Sequence, residues 1–295
     1  MSQEYLIHNP PEHIAWMTDG HIGDLFHYIE AGDKAMAFCN QLGPHIEAWG
    51  GDFVRAFSFN ERFMNFDEIL GSDFPSPADQ LAELERRLLQ SREKPENKYM
   101  MIGNHDLKLM KTMGNYYQDP RGLREGLCDR LGINYGGFEM RLHLVWDDGS
   151  DCRVLCTHGR TTNPHTKKVE PGLGHRKRAN AAQWLRNDLG SLDRGASDLY
   201  LKGHEHRVTV YEPFEYKQMI QEGDGWIDKT VRENFISHPI WAACGGAWGK
   251  TRVTGYTTYQ EEGQMGTADI AMIHVDLTKK EGDKRIPKIN IVSLA

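Results

Sequence analysis

Nowhere in the 295 residues do eighteen apolar residues run together, which excludes an ordinary membrane-spanning helix. The opening residues, Met1-Ser2-Gln3-Glu4-Tyr5, lack the basic start and apolar core of a secretory signal. Cysteine is scarce. Cys39, Cys128, Cys152, Cys156 and Cys244 form no CxxC pair, and their odd number argues against a disulfide framework or a thiolate zinc site. They read as small buried apolar residues in a reducing cytosol. An excess of positive charge is also missing. The net charge is −7, so any affinity for a polyanion must come from a local patch. The chain has no internal repeat, no low-complexity run and no linker long enough to separate domains.

What remains is 39% hydrophobic and 26% charged, a composition that builds a packed core. The pattern predicts one α/β domain over residues 1–295, entered through an irregular lead-in at 1–13. Short apolar runs read as strands at 14–18, 46–49, 99–102, 138–146, 153–157, 198–202, 235–243 and 286–294. Asp147-Asp148-Gly149-Ser150 predicts a hairpin between two of them. Helical spacing covers 24–42, with Gly32-Asp33 as a potential break, and 78–93. In the second helix Leu81, Leu84, Leu88 and Leu89 read as inward, and Glu83, Glu85, Arg86 and Arg87 as outward. Shorter helices are expected after Leu107, near 121–131 and up to about Asp188. Residues 56–78, rich in phenylalanine, read as a long packed insertion.

Most of these strands run into glycine and then into groups that carry chemistry. The first ends in Asp19-Gly20-His21, whose alternate side chains can converge on one point. Others end in Gly50-Gly51-Asp52, Gly103-Asn104-His105-Asp106, His158-Gly159 and Gly203-His204-Glu205-His206. One such turn is cheap; five in one chain are hard to attribute to chance. Together they offer carboxylate, imidazole and amide oxygen without thiolate, a set suited to manganese, iron or zinc. The donors outnumber what one ion needs. Two ions sharing a carboxylate is the economical reading, and such sites hydrolyse phosphate esters.

As an ordered series, D-x-H, G-D, G-N-H-D, H-G and G-H-x-H resembles the calcineurin-like metallophosphoesterase superfamily over about residues 14–210. The segment between Asp52 and Gly103 resembles uncharacterised phage and bacterial members, which places the protein in a cytoplasm. The resemblance implies a two-sheet β-sandwich flanked by helices, with a dimetal site at the carboxyl ends of strands. Strands from about 235 onward would complete the second sheet. It also implies that Asp19, His21 and His206 hold one divalent ion, with Mn2+ the leading candidate and iron or zinc the alternatives. Asn104, His158 and His204 would hold a second, and Asp52 would bridge them. His105 would face the leaving oxygen as general acid, or steady the phosphate.

One position departs from the family pattern. Many members carry an Asp three residues after the bridging Asp, where it orients the catalytic histidine; here Arg55 stands there. An arginine cannot accept the imidazole N–H. Asp106, Asp24 or a backbone carbonyl can take that place, or His105 works unassisted and Arg55 contacts the substrate phosphate. Arg160 is a second candidate for the phosphate.

The other histidines, His45 among them, read as surface or satisfied core positions, and Asp24 as a helix cap. Lys167–Arg178, a basic run just past His158, is either solvated surface or a rim that draws in nucleic acid or a nucleotide, with Trp184 available to stack. These features favour a phosphodiesterase or nuclease. A phosphomonoesterase, and a metal-binding scaffold without turnover, are the alternatives.

Overall fold

The computed structural model describes residues 2–24, 27–55, 72–107, 123–159, 197–211, 215–222, 225–232, 241–249 and 269–295. The expected helices after Leu107 and up to Asp188, most of the 56–78 insertion, Arg160, the basic run and Trp184 lie wholly or largely outside those residues.

Three short strands form the centre: β2 (His13–Met17), β3 (Ile46–Trp49) and β4 (Lys98–Met101). They are parallel, β2 to β3 and β3 to β4, so their carboxyl ends share one edge. Both faces are buried, which explains their near-continuous apolar spelling. Beyond β4 the path runs through β5 (Asn134–Gly137), β1 (Ser2–His8), β6 (Glu139–Val145), β7 (Asp151–Thr157), β8 (Leu199–Lys202), β12 (Trp241–Cys244) and β9 (Thr209–Tyr211). On the other side β13 (Ala271–Asp276) and β16 (Lys288–Ser293) extend β2 antiparallel. Two small hairpins, β10 (Glu215–Glu222) with β11 (Gly225–Arg232) and β14 (Lys280–Glu281) with β15 (Lys284–Arg285), complete the described strands.

This long sheet folds back on itself. Ile14, Trp16, Ala48 and Met101 from one half share a core with Leu142, Val154, Leu199 and Ala243 from the other. The Trp16 indole N–H donates to the Lys202 carbonyl across that core at 3.3 Å. The result is the expected two-layer β-sandwich. Its second core cluster lies on the other face of the first layer, beneath α1 (Ile29–Leu42) and α2 (Pro77–Gln90).

Four expectations need correction. Residues 2–8 are not an irregular lead-in. They form β1 and pair with all seven residues of β6 in parallel, with Tyr5 and Ile7 against the core. The strands after 235 do not all complete the second layer: β12 does, but β13 and β16 add to the edge of the first, because β13 pairs with β2. Helix α1 runs unbroken through Gly32, where a Cβ would meet Arg87 Cζ at 2.8 Å. Arg87 itself points inward, not outward. It is fully buried between Glu83 Oε1 (2.7 Å), Asp33 Oδ1 (2.5 Å) and the Ile29 carbonyl (3.0 Å), while Leu89 is 64% exposed. Glycine at 32 thus opens the space for a guanidinium that ties α1 to α2. Asp79 and Ser76 close a capping box at the start of α2.

Candidate metal centre

The strand ends reach the site through strained backbone. Six described non-glycine residues have positive φ, and five of them are Asp19, His21, Asp52, His204 and His206. Each such residue costs about 1–3 kcal/mol and persists only where the surroundings enforce it. Here hydrogen bonds between the loops do so. Asp19 N–H donates to the Gly51 carbonyl (3.0 Å), His21 N–H to the Asp52 carbonyl (3.0 Å), and Trp248 N–H to the Asp19 carbonyl (3.1 Å). Phe53 and Trp248 pack edge-to-face below (5.6 Å), with Trp49 beside both. Gly51 has φ +92°, and a Cβ there would meet Gly103 N at 2.6 Å. Gly51 and Gly103 thus let the second and third loops interlock.

Two donor groups result. In the first, one donor atom each of Asp19, His21 and His206 lies within 4.8 Å of the others. Asp19 Oδ1 is 3.2 Å from His206 Nε2, and the two imidazole Nε2 atoms face each other at 2.9 Å. The second group is Asp52, His158 and His204. Asp52 Oδ2 is 3.0 Å from His158 Nε2, and His204 Nδ1 is 3.3 Å from the same nitrogen. One amide atom of Asn104 lies 3.2 Å from Asp52 Oδ2 and 3.0 Å from His204 Nδ1. As N–H it donates to both; as oxygen it would add a further donor beside them. The groups are coupled through Asp19, whose Oδ2 accepts from Thr18 Oγ1 (2.6 Å) and from the His204 N–H (2.9 Å).

The electrostatics fit a cation. Desolvation by burial would raise the Asp52 carboxyl, but His158 overrides it and holds it well below the usual range. Burial would lower His158, yet Asp52 lifts it to about 9. His206 is likewise lowered by burial but raised, on balance, by Asp19. His21 is pushed well below its ordinary value by burial, then by His206 and His105. Asp19 Oδ1, His21 Nδ1 and His204 Nε2 are buried without a hydrogen-bond partner. A buried set of close carboxylates and imidazoles with unsatisfied lone pairs is what divalent ions complete. The His158 Nδ1–H donates to the Gly50 carbonyl at 2.9 Å, which orients the ring so that Nε2 would hold an ion in exchange for its proton.

His105 stands beside both groups. Its N–H donates to Asp52 Oδ1 (2.7 Å), and its ring meets the His21 ring edge-to-face at 5.0 Å. Its Nδ1 lies 3.1 Å from the Arg55 carbonyl and 3.2 Å from Arg55 Nη1. Of the three substitutes for the absent aspartate, the backbone carbonyl is in contact with Nδ1. The Arg55 guanidinium is buried on the Nδ1 side of the ring and lies 3.6 Å from Asp24 Oδ2, so Asp24 meets Arg55 and does not cap α1, which Tyr28 begins.

Asp106 has a different task from orienting His105. It is fully buried, and it accepts backbone N–H groups from Asp52 (2.7 Å), Gly103 (2.8 Å) and Val54 (3.2 Å). Sequence reasoning also missed Thr18, the Gly50 carbonyl and Trp248. The first two directly adjoin the quoted motifs, so the signal was adjacency. Trp248, far along the chain, carried none.

The chain has the two-layer sandwich flanked by helices, with the site at strand ends, that its motifs imply. It matches no family model and no curated protein. Among solved structures it is similar to an uncharacterized Streptococcus pneumoniae protein described as a predicted phosphoesterase, with 12% identity over 96% of this chain and 90% of that one (TM-score 0.34). It is also similar to Chaetomium thermophilum Vps29, at 10% identity over 96% and 97% (TM-score 0.38). A Candida albicans 5'-nucleotidase shows 10% identity over all of this chain and 53% of its own (TM-score 0.37). Overlaps this shallow carry no argument about chemistry, which rests on the site. No described helix is long and apolar enough to cross a membrane.

Proposed function

We propose that this protein is a dinuclear metal-dependent phosphoester hydrolase, and specifically a phosphodiesterase acting on nucleic acid or nucleotides. The observation that carries the reading is the pair of buried, thiolate-free donor groups, coupled through Asp19, with His105 beside both. Asp19, His21 and His206 would hold one ion; Asn104, His158 and His204 the other; Asp52 would serve both. Manganese is the leading candidate, with iron or zinc as alternatives. When bound, two such ions clamp a phosphate and provide a water nucleophile near neutral pH.

The chain's own residues do the rest. Asp106 and the interlocked glycine turns hold Asp52 in its strained conformation. The Gly50 carbonyl aims His158. His105, whose Nδ1–H donates to the Arg55 carbonyl, would protonate the departing oxygen from Nε2 in its imidazolium form. Arg55 and Arg160 are proposed contacts to the substrate phosphate. The preference for a diester rests on the basic run from Lys167 to Arg178.

The test is turnover of bis-p-nitrophenyl phosphate against p-nitrophenyl phosphate by manganese-loaded protein. Diester preference supports the proposal. Monoester preference would make it a phosphomonoesterase, and turnover of neither would leave a metal-binding scaffold.

A further inference from the structure

A third donor cluster lies at the opposite end of β3 from Asp52. Cys39 from α1, His45 just before β3 and Glu47 within it bring one donor atom each within 4.8 Å of the others. All three are at most 1% exposed. The catalytic reading uses none of them.

The tautomer of His45 is the informative detail. Its Nδ1 lies 2.8 Å from the Gly43 carbonyl, an acceptor only, so the ring proton sits on Nδ1. Nε2 is buried and has no hydrogen-bond partner of ordinary length. Burial lowers the His45 pKa, but Glu47 and the Gly43 carbonyl raise it on balance, so a bound ion would take the place of the Nε2 proton. It faces Glu47 Oε2, another acceptor, at 3.5 Å. That is long for a charge-assisted N–H···O bond, which runs at about 2.7–2.9 Å. It suits two ligands of one tetrahedral ion, since zinc bonds of about 2.0–2.1 Å place N and O about 3.3 Å apart. Glu47 is itself braced, by the Trp49 indole N–H (2.7 Å) and by the Ser91 hydroxyl. Glu93 adds a second carboxylate, 3.2 Å from His45 Nδ1. This matches ligand-bearing histidines generally: one nitrogen fixed by a carbonyl, the other free for metal.

We propose that Cys39, His45 and Glu47 form a structural zinc site, separate from the catalytic pair, which clamps the end of α1 to the start of β3. The donor set, one sulfur, one nitrogen and one oxygen, is that of Zn2+ and not of manganese. A fourth position falls to water. Because the cluster is buried, the ion enters as the chain folds.

Sulfur makes the test specific, since no proposed catalytic ligand carries it. Full-length protein produced with cobalt in place of zinc should show a thiolate-to-cobalt charge-transfer band in the near ultraviolet. Cys39→Ser should abolish that band and bind one fewer cobalt per chain, while Cys244→Ser should keep both. Zinc-loaded wild-type protein should show one sulfur at about 2.3 Å by X-ray absorption, a measurement that stands even if the variant fails to fold. Absence of sulfur around zinc, or a band that survives Cys39→Ser, overturns the proposal. Neither result touches the dinuclear site, and a failure of the phosphoesterase reading would leave the sulfur signal unchanged.

Discussion

Asp106 Oδ2 accepts the backbone N–H of Asp52 at 2.7 Å, and the same oxygen accepts Gly103 N–H at 2.8 Å. One carboxylate thus joins the loop that carries Asp52 to the loop that carries Asn104 and His105. Burial and the nearby Asp52 raise its pKa to about 7, while the N–H groups of Gly103 and Val54 oppose that shift.

Removing that acceptor should be costly. Asp106→Ala strands three buried N–H groups and should lower stability by about 3 kcal/mol or more, read as a drop in the urea midpoint without a change in slope. Metal content should fall with it. A variant as stable as wild type would mean that the loops hold each other without Asp106.

His105→Ala should lower turnover by about 10²–10⁴-fold while metal content stays at the wild-type level, measured by kinetics beside elemental analysis. Loss of an ion in this variant would make His105 a ligand. Asp52→Asn should behave differently and reduce both metal content and activity.

Arg87→Met should destabilise the fold by about 3 kcal/mol, because it leaves the buried Glu83 carboxylate with half its partners and unties Asp33. The check is chemical denaturation; activity per folded molecule should be unaffected. Gly32→Ala should show a milder loss through its contact with the same guanidinium.

Metal-stripped protein should have a narrow pH optimum of stability. The His158 pKa, about 9 when folded and 6.5 as a free side chain, supplies stability that is present below 6.5 and lost as pH rises toward 9. His206, also raised, acts in the same direction. His21 and His204, both lowered, act oppositely: their stability is present above 6.5 and is lost as pH falls below it. Urea midpoints of chelator-treated protein across this range should therefore fall on both sides. Reloading metal should flatten the alkaline limb, since His158 Nε2 then holds an ion, and a limb that persists would place His158 outside the ligand set.

How much of this was legible beforehand differs from element to element. Strands β2, β3 and β4 were readable because both faces are buried and their apolar runs stop at glycine. Strand β1 was not, because only Gln3, Tyr5 and Ile7 turn partly inward while Glu4, Leu6 and His8 face solvent, and its partner β6 begins at Glu139. Arg87 looked like a surface charge on a helix, since the space that receives it is made by Gly32 of another helix.

The sequence by itself determined which residues end the strands, and so the chemistry available there. A strand's end is a local property, set by an apolar run followed by a glycine. Only the tertiary structure decided what holds those residues. His158 meets the Gly50 carbonyl across 108 positions, and His204 meets Asp19 across 185. His105 meets Arg55's carbonyl where the family pattern has an aspartate, and His45 Nε2 is left without a hydrogen-bond partner. Such partners depend on strand register and on the sheet's closure over its core, and no local pattern encodes either.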